Sequence, residues 1–356
     1  MLWPRLRRAF LSLAVLGWLG LLAAPLQAAR AAEDLPQLGV TLPATSLSGL
    51  SSGAYMAGQI ELAHSKDIVG AGIVAGGPFA CAETASSQLF PYWPIVMWQN
   101  ASQAANACMK VSWGVPDTEK LAKRAKELAE DGKIDELSGL TDDKVYLFSG
   151  NEDQTVERQV VEAAKRFYIA AGVPEGSVTL VEKDGGHAFM TETEGTACGL
   201  SKEPYVSDCD YDQAKAILEW IYGAPLAAPP STPTGKFIIF DQSPFSQGVA
   251  NGLAAEGVVY VPADCESHPG CRLHIALHGC EQARESVGDA FIKGSGFARY
   301  ADTNRLVILF PQVAGSVVNP RGCWDWWGYS DIDYLGKDAP QIAAIWAMAE
   351  RLAAQP

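Results

Sequence analysis

Gly49-Leu50-Ser51-Ser52-Gly53 is the stretch on which the reading of this chain turns. It follows the extended run Leu38–Leu47 and opens a helical stretch, Gly53–His64. A serine at a strand-to-helix junction sits on a sharp turn only if its neighbours are small, because larger side chains would clash where the chain folds back. The helix behind it presents unpaired N–H groups at its N-terminus. Ser51 is therefore read as a nucleophile, against the plainer possibility of a glycine-rich turn.

Outward from this point, short apolar runs recur at Ile68–Ala75, Val145–Ser149, Ser177–Val181, Phe237–Phe240, Val258–Val261, Leu273–Leu277 and Leu306–Phe310. Helical stretches lie between them, at Thr118–Glu130, Val156–Ala171, Tyr211–Tyr222 and Gln341–Leu352. That alternation predicts an α/β fold with a mostly parallel central sheet flanked by helices. No internal repeat is present. With 356 residues, 48% of them apolar and 19% charged, the chain has ample material for a buried core. Disorder and a small disulfide-stapled scaffold are excluded. A formal net charge of −14 with no basic stripe excludes a protein that tracks nucleic-acid phosphates.

Residues 1–31 are set aside as a signal peptide. Arg5, Arg7 and Arg8 precede the apolar run Ala9–Leu26, and small residues follow at Ala28–Ala32. The apolar run is near the lower length limit for a membrane span, so a retained anchor is the alternative. Arg7-Arg8 also suits twin-arginine export, which ranks below the general route. No other run approaches the length of a span, so no stable membrane insertion is expected once the leader is cleaved. The expected location is extracellular or periplasmic. All eight cysteines (81, 108, 198, 209, 265, 271, 280, 323) follow the leader, and up to four disulfides are expected in an oxidising compartment. Spacing suggests Cys265 with Cys271 and Cys198 with Cys209. No pair has the short spacing of a zinc site.

A serine nucleophile needs a base, and five histidines are available. His64 lies on the helix after Ser51, His268 between Cys265 and Cys271, and His274 within an apolar strand. His187, in Asp184-Gly185-Gly186-His187-Ala188-Phe189, stands on a glycine-rich loop after a strand and is assigned as general base. The carboxylate that orients it should follow a strand between the two. Asp153 in Gly150-Asn151-Glu152-Asp153-Gln154-Thr155-Val156 meets this, with Glu152 left open beside it. Asp142 and Asp143 precede their strand, at the wrong end.

The order serine, acid, histidine is that of α/β-hydrolases. In that fold one oxyanion N–H belongs to the residue after the nucleophile, here Ser52, and another to the loop after a neighbouring strand. Leu273-His274-Ile275-Ala276-Leu277-His278-Gly279-Cys280 resembles such a strand and loop, which makes Cys280 the second donor. The loop normally precedes the serine, whereas here it lies far after it. A circular permutation accounts for this. The uncharged, Pro- and Ala-rich segment 223–235 then joins two halves of one sheet within a single catalytic domain, residues 32–356, rather than linking two domains.

Two further stretches are rich in aromatics. Residues 78–116 hold Phe79, Phe90, Tyr92, Trp93, Trp98 and Trp113, together with Cys81 and Cys108, and read as a lid or wall, or as an ordinary subdomain core. Trp324, Trp326 and Trp327 follow Cys323, whose pairing with Cys280 would place them beside the oxyanion loop as substrate-wall candidates. Side-chain alternation implies that at least one of them packs internally. Asp208, Asp210 and Asp212 suit the start of a helix better than a calcium site. No metal or organic cofactor is expected.

Together, the Gly-Leu-Ser-Ser-Gly-Ala-Tyr-Met-Ala, Gly-Asn-Glu-Asp-Gln-Thr-Val, Gly-Gly-His-Ala-Phe, Leu-His-Gly-Cys and Gly-Cys-Trp-Asp-Trp segments resemble secreted poly(3-hydroxybutyrate) depolymerases of the circularly permuted, single-domain type. The resemblance implies an α/β-hydrolase fold and a secreted serine esterase that cleaves 3-hydroxybutyrate esters. It places nucleophile, acid and base at Ser51, Asp153 and His187, and oxyanion donors at Ser52 and Cys280. It also implies a polyester or hydroxybutyrate-oligomer substrate, adsorption through the catalytic domain's own surface, and a monomer. A feruloyl or acetyl-xylan esterase would use the same triad. A non-catalytic polymer-binding protein would keep the fold and the tryptophans.

Overall fold

The run that leads to Ser51 is a strand only from Thr45 onward: β1 is Thr45–Leu50, and Leu42–Ala44 forms a short 3-10 turn with Pro43 in its first positions. The expected run Leu38–Leu47 is thus shifted toward the serine. Pro43 has no N–H for a ladder and cannot stand within a central strand. The computed structural model describes residues 32–84, 92–246 and 251–356. The expected leader and Phe90 lie outside the described residues.

After β1 come β2 (Ile68–Val74), β3 (Lys144–Gly150), β4 (Val178–Lys183), β5 (Phe189–Thr191), β6 (Thr196–Ala197) and β7 (Val206–Asp208). Beyond the Pro-rich segment come β8 (Lys236–Asp241), β9 (Glu256–Val261), β10 (Arg272–Leu277) and β11 (Leu306–Phe310). Eight of these form one sheet in the order β4-β3-β2-β1-β10-β11-β9-β8. The six strands from β4 to β11 in that order are mutually parallel, and β9 and β8 are antiparallel additions at one edge. Both sides of 223–235 therefore feed the same sheet: Ser46 pairs with His274 and Gly49 with Leu277 across β1 and β10.

Burial follows position in the sheet. Every residue of β1 and β11 is buried, as expected for parallel strands covered on both faces. The edge strand β8 instead leaves Phe237 and Ile239 partly exposed and buries Ile238 and Phe240. Helix α1 (Ser52–Ala63) is buried along its whole length, which its apolar, weakly one-sided sequence requires. The helices Thr118–Glu130 and Arg158–Ala171 bury one stripe and expose charged residues on the other. A smaller sheet, β5-β7-β6, carries the Cys198–Cys209 disulfide at its margin. Cys265–Cys271 and Cys280–Cys323 are also joined, and Cys81–Cys108 completes the set, leaving no free cysteine among the described residues.

One buried acid pair makes stability depend on pH. Glu61 in α1 is wholly buried, accepts a hydrogen bond from Tyr168 at 2.6 Å and interacts with the buried Asp143, just before β3. Burial pushes both carboxyls well above the usual carboxylate range, and for Asp143 the neighbouring Glu61 charge adds to it. A raised carboxyl pKa means that the folded chain holds protons the unfolded chain releases. The stabilisation is full below the ordinary carboxylate pKa and is lost as pH rises through the raised values. Glu61→Gln is expected to remove roughly 2 °C per pH unit from the decline of Tm between about pH 5 and 9. Thermal melts of both proteins across that range check it, and parallel curves would contradict it.

Candidate active site

Ser51 adopts φ 56° and ψ −118°, a conformation that costs a non-glycine residue about 1–3 kcal/mol. Its neighbours explain how the turn closes. A Cβ on Gly49 would overlap the backbone of Gly53, and a Cβ on Gly53 would overlap the carbonyls of Leu277 and His278 at the end of β10. The glycine pattern thus serves both the sharp turn and the contact between the first turn of α1 and the strand beside β1. The Ser51 N–H donates to the Val74 carbonyl at 2.9 Å, and its own carbonyl accepts from Ala54 and Tyr55.

β1, β3, β4 and β10 run in one direction, so the residues beyond their carboxyl ends emerge along one edge of the sheet. Those residues are Ser51, Asp153, His187 and Cys280. Asp153 and His187 meet directly: imidazole Nδ1 lies 2.7 Å from Asp153 Oδ2, with the two side chains 7% and 1% exposed. The other carboxylate oxygen, Oδ1, accepts the N–H groups of Thr155 at 2.7 Å and Val156 at 3.0 Å. The His187 N–H donates to Ser201 Oγ at 2.7 Å. The two loops are also tied by the Glu152 N–H to the Gly185 carbonyl at 2.9 Å and the Asn151 N–H to Lys183 at 2.8 Å. Glu152 is exposed, and its carboxylate lies against Gly199. Among the described residues no hydrogen bond joins Ser51 to His187; such bonds commonly tighten only once substrate is bound.

The loop after β10 packs against the nucleophile turn. A Cβ added to Gly279 would contact the Leu50 carbonyl and side chain. The Gly279 N–H donates to Gln282 Oε1 at 2.7 Å, and Gln282 Nε2 donates to the Pro204 and Tyr205 carbonyls. The Glu281 N–H donates to Arg321 at 2.7 Å, and Cys280 is bonded to Cys323. No described carbonyl or side chain accepts the N–H of Ser52 or of Cys280. Two unpaired donors beside a serine are what a developing oxyanion requires.

The tryptophan candidates separate. Trp324 is fully buried, meets the His278 ring at a tilt with centroids 5.2 Å apart and donates from Nε1 to the His278 carbonyl at 3.0 Å. It is therefore corrected from a substrate-wall residue to a support beneath the loop. Trp326 stacks on Tyr55 with ring centroids 4.0 Å apart, and Trp327, half-buried, meets Trp326 edge-on and Tyr329 at 4.9 Å. Asp325 holds this turn by accepting the Gly328, Tyr329 and Ser330 N–H groups. Burial raises its pKa against those hydrogen bonds.

In the stretch 78–116, Phe79 belongs to the core, while Trp98 and Trp113 are 71% and 60% exposed. Trp93 donates to the Gly328 carbonyl and so joins this segment to the tryptophan loop. Among the described residues no group of three or more His, Cys, Asp or Glu is arranged to hold a metal ion. Asp212 instead accepts the Lys215 N–H and caps the helix Gln213–Tyr222. Ser201 and Gln282 were not singled out in the sequence. Gln282 follows Cys280 by two residues, whereas nothing local marks Ser201.

No family model matches the chain. A polyhydroxybutyrate depolymerase of Talaromyces funiculosus is 36% identical over 351 residues, covering 93% of this chain and 94% of that protein. The chain belongs to the polyhydroxybutyrate depolymerases. A poly(3-hydroxybutyrate) depolymerase of Delftia acidovorans is 39% identical over 329 residues, which cover 91% of this chain and 62% of that protein. The chain thus spans about three fifths of that relative's length. Among solved structures, the PHB depolymerase from Penicillium funiculosum matches with a TM-score of 0.79 at 33% identity. A serine-to-alanine variant of a PHB depolymerase, complexed with an R3HB trimer, matches with a TM-score of 0.78 at the same identity. Each match covers 90% of this chain and 98% of the other. The likeness spans both sides of 223–235, in keeping with an α/β-hydrolase fold for this family.

Proposed function

We propose that this chain is a secreted serine esterase that hydrolyses the ester bonds of poly(3-hydroxybutyrate) or its oligomers. The observation that carries this reading is the convergence, at one sheet edge, of a strained serine turn, a buried Asp–His pair and two unpaired N–H groups. The family supplies the polyester substrate class.

Ser51 Oγ attacks the ester carbonyl while His187 Nε2 takes its proton, and the Ser52 and Cys280 N–H groups receive the carbonyl oxygen as it becomes an oxyanion. Asp153 holds His187 with its proton on Nδ1 and stabilises the imidazolium. Collapse of the intermediate breaks the ester C–O bond. His187 gives its proton to the departing alkoxide oxygen, which leaves as an alcohol, and the acyl group stays on Ser51. Water, deprotonated by the same imidazole, then releases the acid and restores the serine. Trp326 and Trp327 remain as wall candidates, and the exposed Trp98 and Trp113 as part of the surface that meets a polymer.

All five reacting groups belong to one chain, so the reading requires no second subunit and no metal or organic cofactor. Four disulfides accord with export, with residues 1–31 as the leader and 32–356 as one circularly permuted catalytic domain. Products released from poly(3-hydroxybutyrate), from hydroxybutyrate oligomers and from an acetylated or feruloylated xylan, compared under identical conditions, test it. The expected result is 3-hydroxybutyrate monomer or short oligomers, with little turnover of xylan esters. Preferential turnover of the xylan ester would replace the substrate assignment.

A further inference from the structure

His187 must reach Ser51 from a loop that cannot hold its own shape. Asp153 fixes one ring nitrogen, but where the other points depends on the backbone that carries the ring. The two residues before it are glycines, and Gly185 stands at φ 153°, so the chain leading to the base is conformationally permissive. Its course is imposed from outside. The Gly186 N–H donates to the Cys198 carbonyl at 2.9 Å, the His187 N–H to Ser201 Oγ at 2.7 Å and the Phe189 N–H to the Tyr205 carbonyl at 2.9 Å. The base residue and its neighbours on both sides are thus hung on the segment 198–205.

That segment is itself secured. The Cys198–Cys209 disulfide closes it, Val206 in β7 pairs with Phe189 in β5, and Gln282 donates to the Pro204 and Tyr205 carbonyls from the loop after β10. Its close approach also explains the glycine before the histidine: a Cβ on Gly186 would lie 2.7 Å from Ser201 Oγ and 3.0 Å from the Gly199 carbonyl oxygen. Of the three anchors, two are backbone carbonyls that no substitution removes. Ser201 Oγ is the one side chain, and it holds the base residue itself. Ser201 is exposed, so losing its hydroxyl opens no cavity in the core.

We infer that Ser201 is a positioning residue for the general base: by accepting the His187 N–H it fixes the backbone from which the imidazole reaches Ser51. The inference rests on the proposed roles of Ser51 and His187. A reacting group displaced by about 1 Å costs about 10² in rate. Here Asp153 still holds the ring and the Gly186 and Phe189 anchors remain, which sets a smaller expected loss.

The test is a double-mutant cycle between Ser201→Ala and His187→Ala. Ser201→Ala alone is expected to lower kcat on a soluble 3-hydroxybutyrate oligomer about tenfold, with KM within about twofold and Tm within about 2 °C. The cycle is run on a p-nitrophenyl ester, reactive enough for residual rates to be read. There Ser201→Ala is expected to slow the parent by a similar factor but to leave the rate of His187→Ala unchanged within about twofold, because a residue that acts through the imidazole has nothing to act on once the imidazole is gone. Equal losses in both backgrounds mean a general structural role and overturn the inference. So does a folded Ser201→Ala protein with the parent kcat, or a loss carried in KM. If Ser201→Ala does not fold, Ser201→Thr and Ser201→Val decide, since the two side chains share a shape and only threonine keeps a hydroxyl to accept the N–H. A kcat at least about fivefold higher for threonine supports the inference, and equal values refute it. His187→Ala measured by itself separates the two levels. If it keeps the parent rate, the base assignment fails and this inference with it. If it is inactive while Ser201→Ala is fast, only the role of Ser201 fails.

Discussion

Ser51→Ala is expected to lower kcat on a hydroxybutyrate oligomer by about 10⁶ while leaving the fold intact. The structure makes the two halves of that expectation separable. Ser51 Oγ makes no hydrogen bond to another described group, so its removal costs no internal bond, and alanine meets the same backbone strain as serine at φ 56°. Far-UV circular dichroism and Tm should be unchanged. What disappears is the hydroxyl that the proposed mechanism uses as its nucleophile. A residual rate over water of about 10³–10⁴ is expected from the oxyanion donors and binding alone. Reaction with an organophosphonate probe should label the parent protein once per chain and the variant not at all. A variant that still turns over the oligomer, or is still labelled at the active site, would remove Ser51 from the mechanism.

Much of this site was legible because its parts obey local rules. The serine turn needs glycines where a Cβ would strike backbone, and that need is written within the five residues 49–53. The loops of Asp153 and His187 each follow an apolar strand, and parallel strands deliver their following loops to one edge. Other features depend on contacts that no local pattern encodes. The direction of β9 and β8 is invisible to periodicity, because an apolar run reads the same in parallel and antiparallel pairing. The helix Trp93–Gln103 buries only Val96, Met97 and Asn100, too sparse a stripe to announce itself. In the turn 324–330 there is no period at all, so composition could not tell that Trp324 points inward while Trp327 stays half-exposed. The shift of β1 to Thr45 follows from Pro43, whose effect on a strand boundary was available in the sequence.

The neighbouring acids Glu152 and Asp153 could not be separated by spacing, and the hydrogen-bond geometry yields a sharp expectation for each. Asp153 Oδ1 is already claimed by two backbone donors, the Thr155 and Val156 N–H groups, while Oδ2 faces His187 Nδ1. In Asp153→Asn the amide oxygen must stay with the two N–H groups, because an NH₂ there would face donors. The NH₂ is then turned toward His187, and Nδ1 can accept it only by giving up its own proton. The imidazole is left protonated on Nε2, the nitrogen that has to accept from Ser51. The expected result is a fall in kcat of about 10⁴ with KM and Tm little changed. Glu152→Gln is expected to stay within about twofold of the parent, because the Glu152 side chain is exposed and only its backbone N–H, untouched by the substitution, secures the Gly185 carbonyl. Steady-state kinetics of the two variants on one soluble oligomer decide between the acids. A large loss in Glu152→Gln with Asp153→Asn unimpaired would move the orienting role by one residue and require the 150–156 loop to rearrange when substrate binds.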